Sequence, residues 1–338
     1  MPVTVYPWHE TQWREILQRK EGLPHALLFK GREGVGKLDF VRKLAQSLAC
    51  ESPVNQAACA ECQSCRWFAT NAHPDYRELL PEALRPEFET TGERKPSQQI
   101  SVEDVRNLHD FINLTAHQTG GKTIVIYPAE TLNVNAANAL LKSLEEPPAN
   151  TRFMLVAHRP SYLPATIISR CQQVVLPTPP VAVAEQWLRD QGATEPALSL
   201  AQTGNAPLAA LALDDGEFWQ QRKALLGGLA ANAVDAFSLA EQIREYPIPR
   251  LLGWLQRWSY DLLSAKSVGT VRYSPDYAKA LSQLANRLRA IDIARFHRTL
   301  VRQQRSVHHP LNARLYIEQL LFSYTALLRG EDLTTYAR

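Results

Sequence analysis

Seven residues, Gly31-Arg32-Glu33-Gly34-Val35-Gly36-Lys37, constrain the fold of this chain more than any other feature. They fit the pattern G-x4-G-K. A short apolar run, Ala26-Leu27-Leu28-Phe29, precedes them. After them Val41, Leu44, Ala45, Leu48 and Ala49 recur at helical spacing, with Arg42, Lys43, Gln46 and Ser47 on the opposite side. Strand, glycine loop and helix in that order form a phosphate cradle. Glycines let backbone N–H groups curl round phosphate oxygens, the helix aims its N-terminus at them, and a lysine neutralises charge. Gly31, Gly34, Gly36 and Lys37 are therefore the candidate nucleotide-binding residues.

The parts that would turn such a loop into an ATPase are missing. Leu38 stands where a Ser or Thr would hold Mg²⁺, and leucine cannot ligate a hard cation. The β-branched run Thr123-Ile124-Val125-Ile126 is followed by Tyr127-Pro128-Ala129-Glu130, not by a magnesium-binding aspartate and a water-polarising glutamate. Glu130 reads as a solvated loop residue. Hydrolysis in cis and a catalytic magnesium are not expected, while ATP or ADP held loosely by the loop and a loop standing empty both stay open.

The rest of the first half continues the alternation. Ser101-Val102-Glu103-Asp104 reads as a capping box opening a helix with Val105, Leu108 and Ile112 on one face. Ala137, Leu140, Leu141 and Leu144 form a helical stripe that stops at Glu146-Pro147-Pro148. Arg152–Ala157 and Gln173–Leu176 are further strands, and the βαβαβ order predicts an α/β domain with a parallel sheet. The polar segment Pro81–Gln99 reads as a loop. Pro177-Thr178-Pro179-Pro180 breaks the pattern and marks a boundary. Beyond it the residues predict short helices around Gly204-Asn205-Ala206-Pro207, then an all-helical region with Leu251, Leu252, Leu255, Trp258, Leu320, Leu321 and Tyr324 at helical spacing.

Four of five cysteines, Cys50, Cys59, Cys62 and Cys65, lie close together. Four thiolates can close a tetrahedral shell round Zn²⁺, and a closed shell of this kind is structural. An iron–sulfur cluster and two disulfides are the rivals. Cys171 reads as a small buried residue and His73 as a satisfied loop histidine. The N-terminus lacks the features of a signal peptide, and no run approaches the ~18 apolar residues of a membrane span. A cytoplasmic location is the expectation. The formal net charge of +3, from 37 basic and 34 acidic residues, is too balanced to predict nucleic-acid binding from bulk electrostatics.

The glycine loop, the cysteine cluster, the run Asn138-Ala139-Leu140-Leu141-Lys142-Ser143-Leu144-Glu145-Glu146-Pro147-Pro148 and the triplet Ser169-Arg170-Cys171 together resemble the bacterial clamp-loader family of AAA+ proteins. The resemblance covers residues 20–175 and extends to Tyr6-Pro7-Trp8; beyond about 215 it rests on length and helical content. It implies an AAA+ P-loop domain over 1–176 with a zinc module at about 50–66, a small helical lid over 177–215 and an all-helical collar over 216–338. It also implies partners: three gamma/tau-type ATPase subunits and a delta subunit, in a ring that opens the sliding clamp and loads it on primed DNA for the DNA polymerase III holoenzyme. Leu38, Tyr127, Pro128 and the absence of a sensor threonine at Ala157 or His158 separate this chain from the hydrolysing gamma/tau type. The implied role is a stator with no ATPase or polymerase activity of its own. Ser169 and Arg170 would then supply an arginine finger to a neighbouring subunit, whereas the residues alone leave a salt bridge within the domain equally open. The alternatives are an active ATPase of gamma/tau type and an unrelated zinc-module nucleic-acid-binding protein.

Overall fold

A computed structural model describes residues 5–85, 96–114, 116, 117, 120–213, 215–231, 233–304 and 312–331. The chain divides into two compact units, Met1–Val183 and Ala184–Arg338.

The first unit is built on five parallel strands in the order β2-β3-β4-β1-β5: β1 (Ala26–Lys30), β2 (Tyr76–Leu79), β3 (Lys122–Ile126), β4 (Thr151–Ala157) and β5 (Gln172–Val175). Its helices are α1 (Glu10–Gln18), α2 (Lys37–Ala49), α3 (Gln63–Ala69), α4 (Val102–Asn113), α5 (Val134–Glu145) and the short α6 (Ala165–Ile168). Side chains alternate across a strand, so a sheet covered on both faces needs apolar residues at every position. Ala26, Leu28, Ile124, Ile126, Phe153 and Leu155 pack with Val105, Leu108 and Ile112 of α4 and Ala137, Leu140 and Leu144 of α5. Their neighbours Leu27, Phe29, Val125, Met154 and Val156 pack with Trp13, Ile16 and Leu17 of α1 and Phe40, Val41, Leu44 and Leu48 of α2. The result is a three-layer αβα sandwich. The Ser101 capping box is present, with Ser101 Oγ accepting from Asp104 N and the Asp104 carboxylate accepting from Ser101 N.

Helix α7 (Val181–Asp190) straddles the junction of the two units. In the second unit Ala184 and Leu188 share a small apolar cluster with Leu200 of α8 (Pro196–Thr203) and Ala210 of α9 (Pro207–Leu211). A larger core follows, formed by α10 (Gly216–Leu229), α11 (Ala236–Ile243), α12 (Ile248–Val268), α13 (Ala278–Arg287), α14 (Ala290–Gln303) and α15 (Ala313–Arg329). Trp258 and Tyr324 are fully buried at its centre, and Tyr324 Oη accepts from Trp258 Nε1 at 3.1 Å while donating to Leu229 O at 3.0 Å. The carboxylate of the buried Asp261 accepts from the N–H groups of Arg272, Tyr273 and Ser274 and fixes the turn that leads into α13. No strand occurs among the described residues of this unit. No helix among them, in either unit, is long and apolar enough to cross a membrane.

Candidate functional site

In open parallel sheets ligands bind beyond the carboxyl ends of the strands. Here those ends carry the glycine loop after β1, Tyr127 after β3 and His158 after β4. Gly34 and Gly36 adopt φ of 77° and 85°, which suits glycine, and Gly36 caps α2. A Cβ on Gly31 would collide with the Leu176 carbonyl, so the close approach of the loop to the end of β5 requires glycine there.

Lys37 does not project into the cradle. It is 2% exposed, and its Nζ donates to Gly31 O at 2.9 Å, Arg32 O at 2.7 Å and His158 Nδ1 at 2.7 Å. Burial pulls its pKa down to about 8, against the opposing pull of Glu130 and Glu33. Burial, with help from Lys37 and Arg159, also holds His158 at about 4, so its imidazole is neutral. Because Nδ1 accepts from the lysine, the proton sits on Nε2, which faces Tyr127 Oη at 3.2 Å. Glu130 is not the solvated residue its sequence context suggests: its carboxylate accepts from the N–H groups of His158 and Arg159 at 3.0–3.2 Å and ties the end of β4 down. Leu38 is partly buried against the α1/α2 core. Leu38 and Pro128 carry no side-chain oxygen, and the Glu130 carboxylate is engaged by backbone N–H groups.

The N-terminal segment braces this loop from outside, a role the order Tyr6-Pro7-Trp8 did not reveal. Trp8 Nε1 donates to Val35 O at 2.9 Å, Tyr6 Oη donates to Asp39 Oδ2 at 2.8 Å, and the two rings stack with centroids 5.0 Å apart. His9 packs edge-on to Phe40 and is fully buried, which together with Lys37 lowers its pKa to about 4.

The cysteines converge. Cys50 ends α2, Cys59 sits in the following loop, Cys62 caps α3 and Cys65 lies in its first turn. Cys62 and Cys65 are thus held by the start of a helix. All four sulfurs lie within 4.8 Å of one another, with Cys50 to Cys62 at 3.8 Å and Cys59 to Cys65 at 3.9 Å. These separations are far too long for disulfides. They match the ~3.8 Å edge of a tetrahedron whose metal–sulfur bonds are ~2.3 Å. N–H groups of Glu61 and Cys62 point at Cys59 Sγ and hold its pKa down to about 6, as a thiolate ligand requires. The cluster could hold a metal ion. His73 stays outside it: its Nδ1 accepts from Asp75 N, so its Nε2–H donates to Ser64 Oγ at 2.9 Å. Cys171 is buried in the α4/α5 core, where burial raises its thiol to about 11.

Ser169 is exposed and Arg170 half-buried, just after α6. Arg170 Nη2 forms an ion pair with Glu145 at the end of α5, and its Nη1 donates to Thr166 O at 2.8 Å. This triplet stands apart from the Lys37 network and from the cysteines, so the sequence-predicted residues form three separate groups.

A family model described as "DNA polymerase III, delta subunit" matches residues 9–180, and one described as "DNA polymerase III, delta subunit, C terminal" matches residues 216–325. The chain is 34% identical to DNA polymerase III subunit delta' of Pseudomonas aeruginosa, covering 96% of this chain and 98% of the relative. It is 33% identical to the subunit of the same name from Escherichia coli, covering 84% and 83%. It is 35% identical to DNA polymerase III subunit tau of Salmonella typhimurium over 44% of this chain and 21% of that protein.

Proposed function

The chain belongs to the family of DNA polymerase III delta-prime subunits, and on that premise we propose that it serves as a non-hydrolysing stator of the clamp loader, joined to gamma/tau and delta subunits around a sliding clamp and primed DNA. The observation that carries the non-hydrolysing part is the internal engagement of Lys37. Its ammonium already has Gly31 O, Arg32 O and His158 Nδ1 as acceptors, and Leu38 beside it lies in apolar packing. A phosphate would have to displace the half-buried His158 to reach that charge. The purified chain is expected to turn over no ATP and to show no thermal shift with ATP or ADP. Turnover that disappears in Lys37→Ala would overturn this.

Two further parts belong to the same reading. Zinc is the metal that best suits four thiolates at tetrahedral spacing. Cys50, Cys59, Cys62 and Cys65 would hold it, and its contribution is to fasten the end of α2 to α3. Arg170 is the trans-acting residue: exchange of its Glu145 partner for a phosphate oxygen of a neighbouring subunit's nucleotide turns a resting ion pair into an arginine finger. Ser169, one residue earlier and exposed, lies within 3.4 Å of Arg170 Nη1 and helps to orient it.

A further inference from the structure

Charge in this chain is balanced in total but not in place. Residues 278–304, which span α13 and α14, hold six basic residues (Lys279, Arg287, Arg289, Arg295, Arg298, Arg302) and one acid, Asp292. That stretch carries a formal +5, against +3 for the whole chain, so the remainder is net acidic. The inward side of α14 is committed to the core: Ile293, Phe296 and Leu300 are buried, and His297 Nδ1 lies 2.8 Å from Ser259 Oγ of α12. Its outward side carries Arg295, Arg298 and Arg302 at i, i+3 and i+7, one face of a helix. All three are exposed. Asp292 is shared between Arg289 at 3.5 Å and Arg295 at 3.6 Å, and Arg298 and Arg302 have no acidic partner among the described residues.

We propose that this outward face of α14 binds the sugar–phosphate backbone of duplex DNA, a contact beyond those of the clamp-loading reading and independent of it. Unpaired exposed arginines repel one another, and a polyanion relieves that repulsion. A helix rise of ~1.5 Å per residue spaces the three along ~10 Å, a straight row of forked donors. Duplex DNA offers one charge per ~1.7 Å of axis, so each guanidinium finds a phosphate without a special register. No aromatic ring lies on this stripe, which removes the stacking platform that single strands use. Backbone contacts of this kind give affinity and salt dependence without sequence preference.

The test uses the full chain and a blunt, unprimed DNA duplex of random sequence, followed by fluorescence anisotropy across a salt series. One variant carries Arg295→Gln, Arg298→Gln and Arg302→Gln. A second, with Arg14→Gln, Arg189→Gln and Arg244→Gln, changes net charge equally at exposed sites elsewhere. Each phosphate contact contributes ~0.9 to the slope of log K against log salt, so the α14 variant should lose about 3 from the slope and at least ~10-fold in affinity at low salt. The control variant should keep nearly all of both, and both variants should keep the parental melting temperature. Equal losses in the two variants, or no loss in either, would overturn the assignment. So would tighter binding of poly-glutamate than of the duplex, which would make the face an acidic-peptide site. Because no loader subunit is present, failure here leaves the clamp-loading reading untouched, and failure of assembly leaves this result standing.

Discussion

Replacement of Lys37 by Met separates a buried structural lysine from one held ready for phosphate. In the folded chain burial lowers the Lys37 pKa from 10.5 to about 8. In the unfolded chain it returns to the ordinary value. A folded pKa below the unfolded one means that folding favours the neutral amine. The resulting stabilisation is fully present above pH 10.5 and is lost as the pH falls through about 8. At ~1.4 kcal/mol per tenfold change, it amounts to about 3 kcal/mol. Methionine keeps the stem's volume but removes the donor to Gly31 O, Arg32 O and His158 Nδ1, each worth on the order of 1 kcal/mol net. At pH 7 the relieved burial of charge and the lost hydrogen bonds nearly cancel, so the two proteins should differ by no more than ~2 kcal/mol. Between pH 8 and 10.5 the wild type should gain on the variant by up to ~3 kcal/mol. Urea melts of both proteins at several pH values between 8 and 10.5 measure this, because His9 and His158, which sense Lys37, are already neutral there and groups that do not sense it cancel in the difference. A flat difference across that range would refute the buried engagement of Lys37. So would an ATP-dependent rise in wild-type stability that the variant lacks.

Three further outcomes follow from the other groups. Cys65→Ser should remove one equivalent of metal, lower the melting temperature by several degrees and speed amide exchange across residues 50–79, leaving β1 and β4 protected; unchanged metal content would exclude Cys65 as a ligand. Tyr324→Phe should cost the second unit about 2–4 kcal/mol in urea melts, because Leu229 O and Trp258 Nε1 both lose a buried partner. A loss below ~0.5 kcal/mol would mean that neither bond matters. In a reconstituted loader Arg170→Ala should leave assembly intact but reduce DNA-stimulated ATP turnover several-fold, while Glu145→Gln, which only frees the arginine, should not; equal loss in both would make the ion pair structural.

The sheet was legible because its central strands are buried on both faces and read as unbroken apolar runs, as in Ile124–Ile126 and Phe153–Ala157. Strand β2 was not: Tyr-Arg-Glu-Leu lies on the sheet edge, where Glu78 pairs with Arg42 and Arg77 donates to backbone carbonyls. Helix α3 was hidden for a related reason, since its seven residues are short of a periodic pattern and its first turn is occupied by cysteines. The Pro81–Gln99 loop was read from composition; residues 82–84 form a single 3-10 turn and residues 86–95 lie outside the described ones. At the glycine loop the sequence announced what was missing through Leu38, Tyr127 and Pro128. It did not announce what replaced it. The Lys37–His158 contact joins residues 121 apart and depends on β1 and β4 being neighbours, so only the sheet order reveals it. Glu130 was misread for the same reason: its acceptors' donors, the N–H groups of His158 and Arg159, arrive from the next strand.

Native mass spectrometry of the full chain mixed with purified gamma/tau and delta subunits tests the central claim most directly. A loader stator predicts a pentamer containing one copy of this chain, one delta and three gamma/tau subunits. In it this chain carries one zinc ion and no nucleotide, whether or not ATP is supplied. A mixture in which the chain stays apart from the other subunits, or a chain that arrives with ATP bound, would contradict the account.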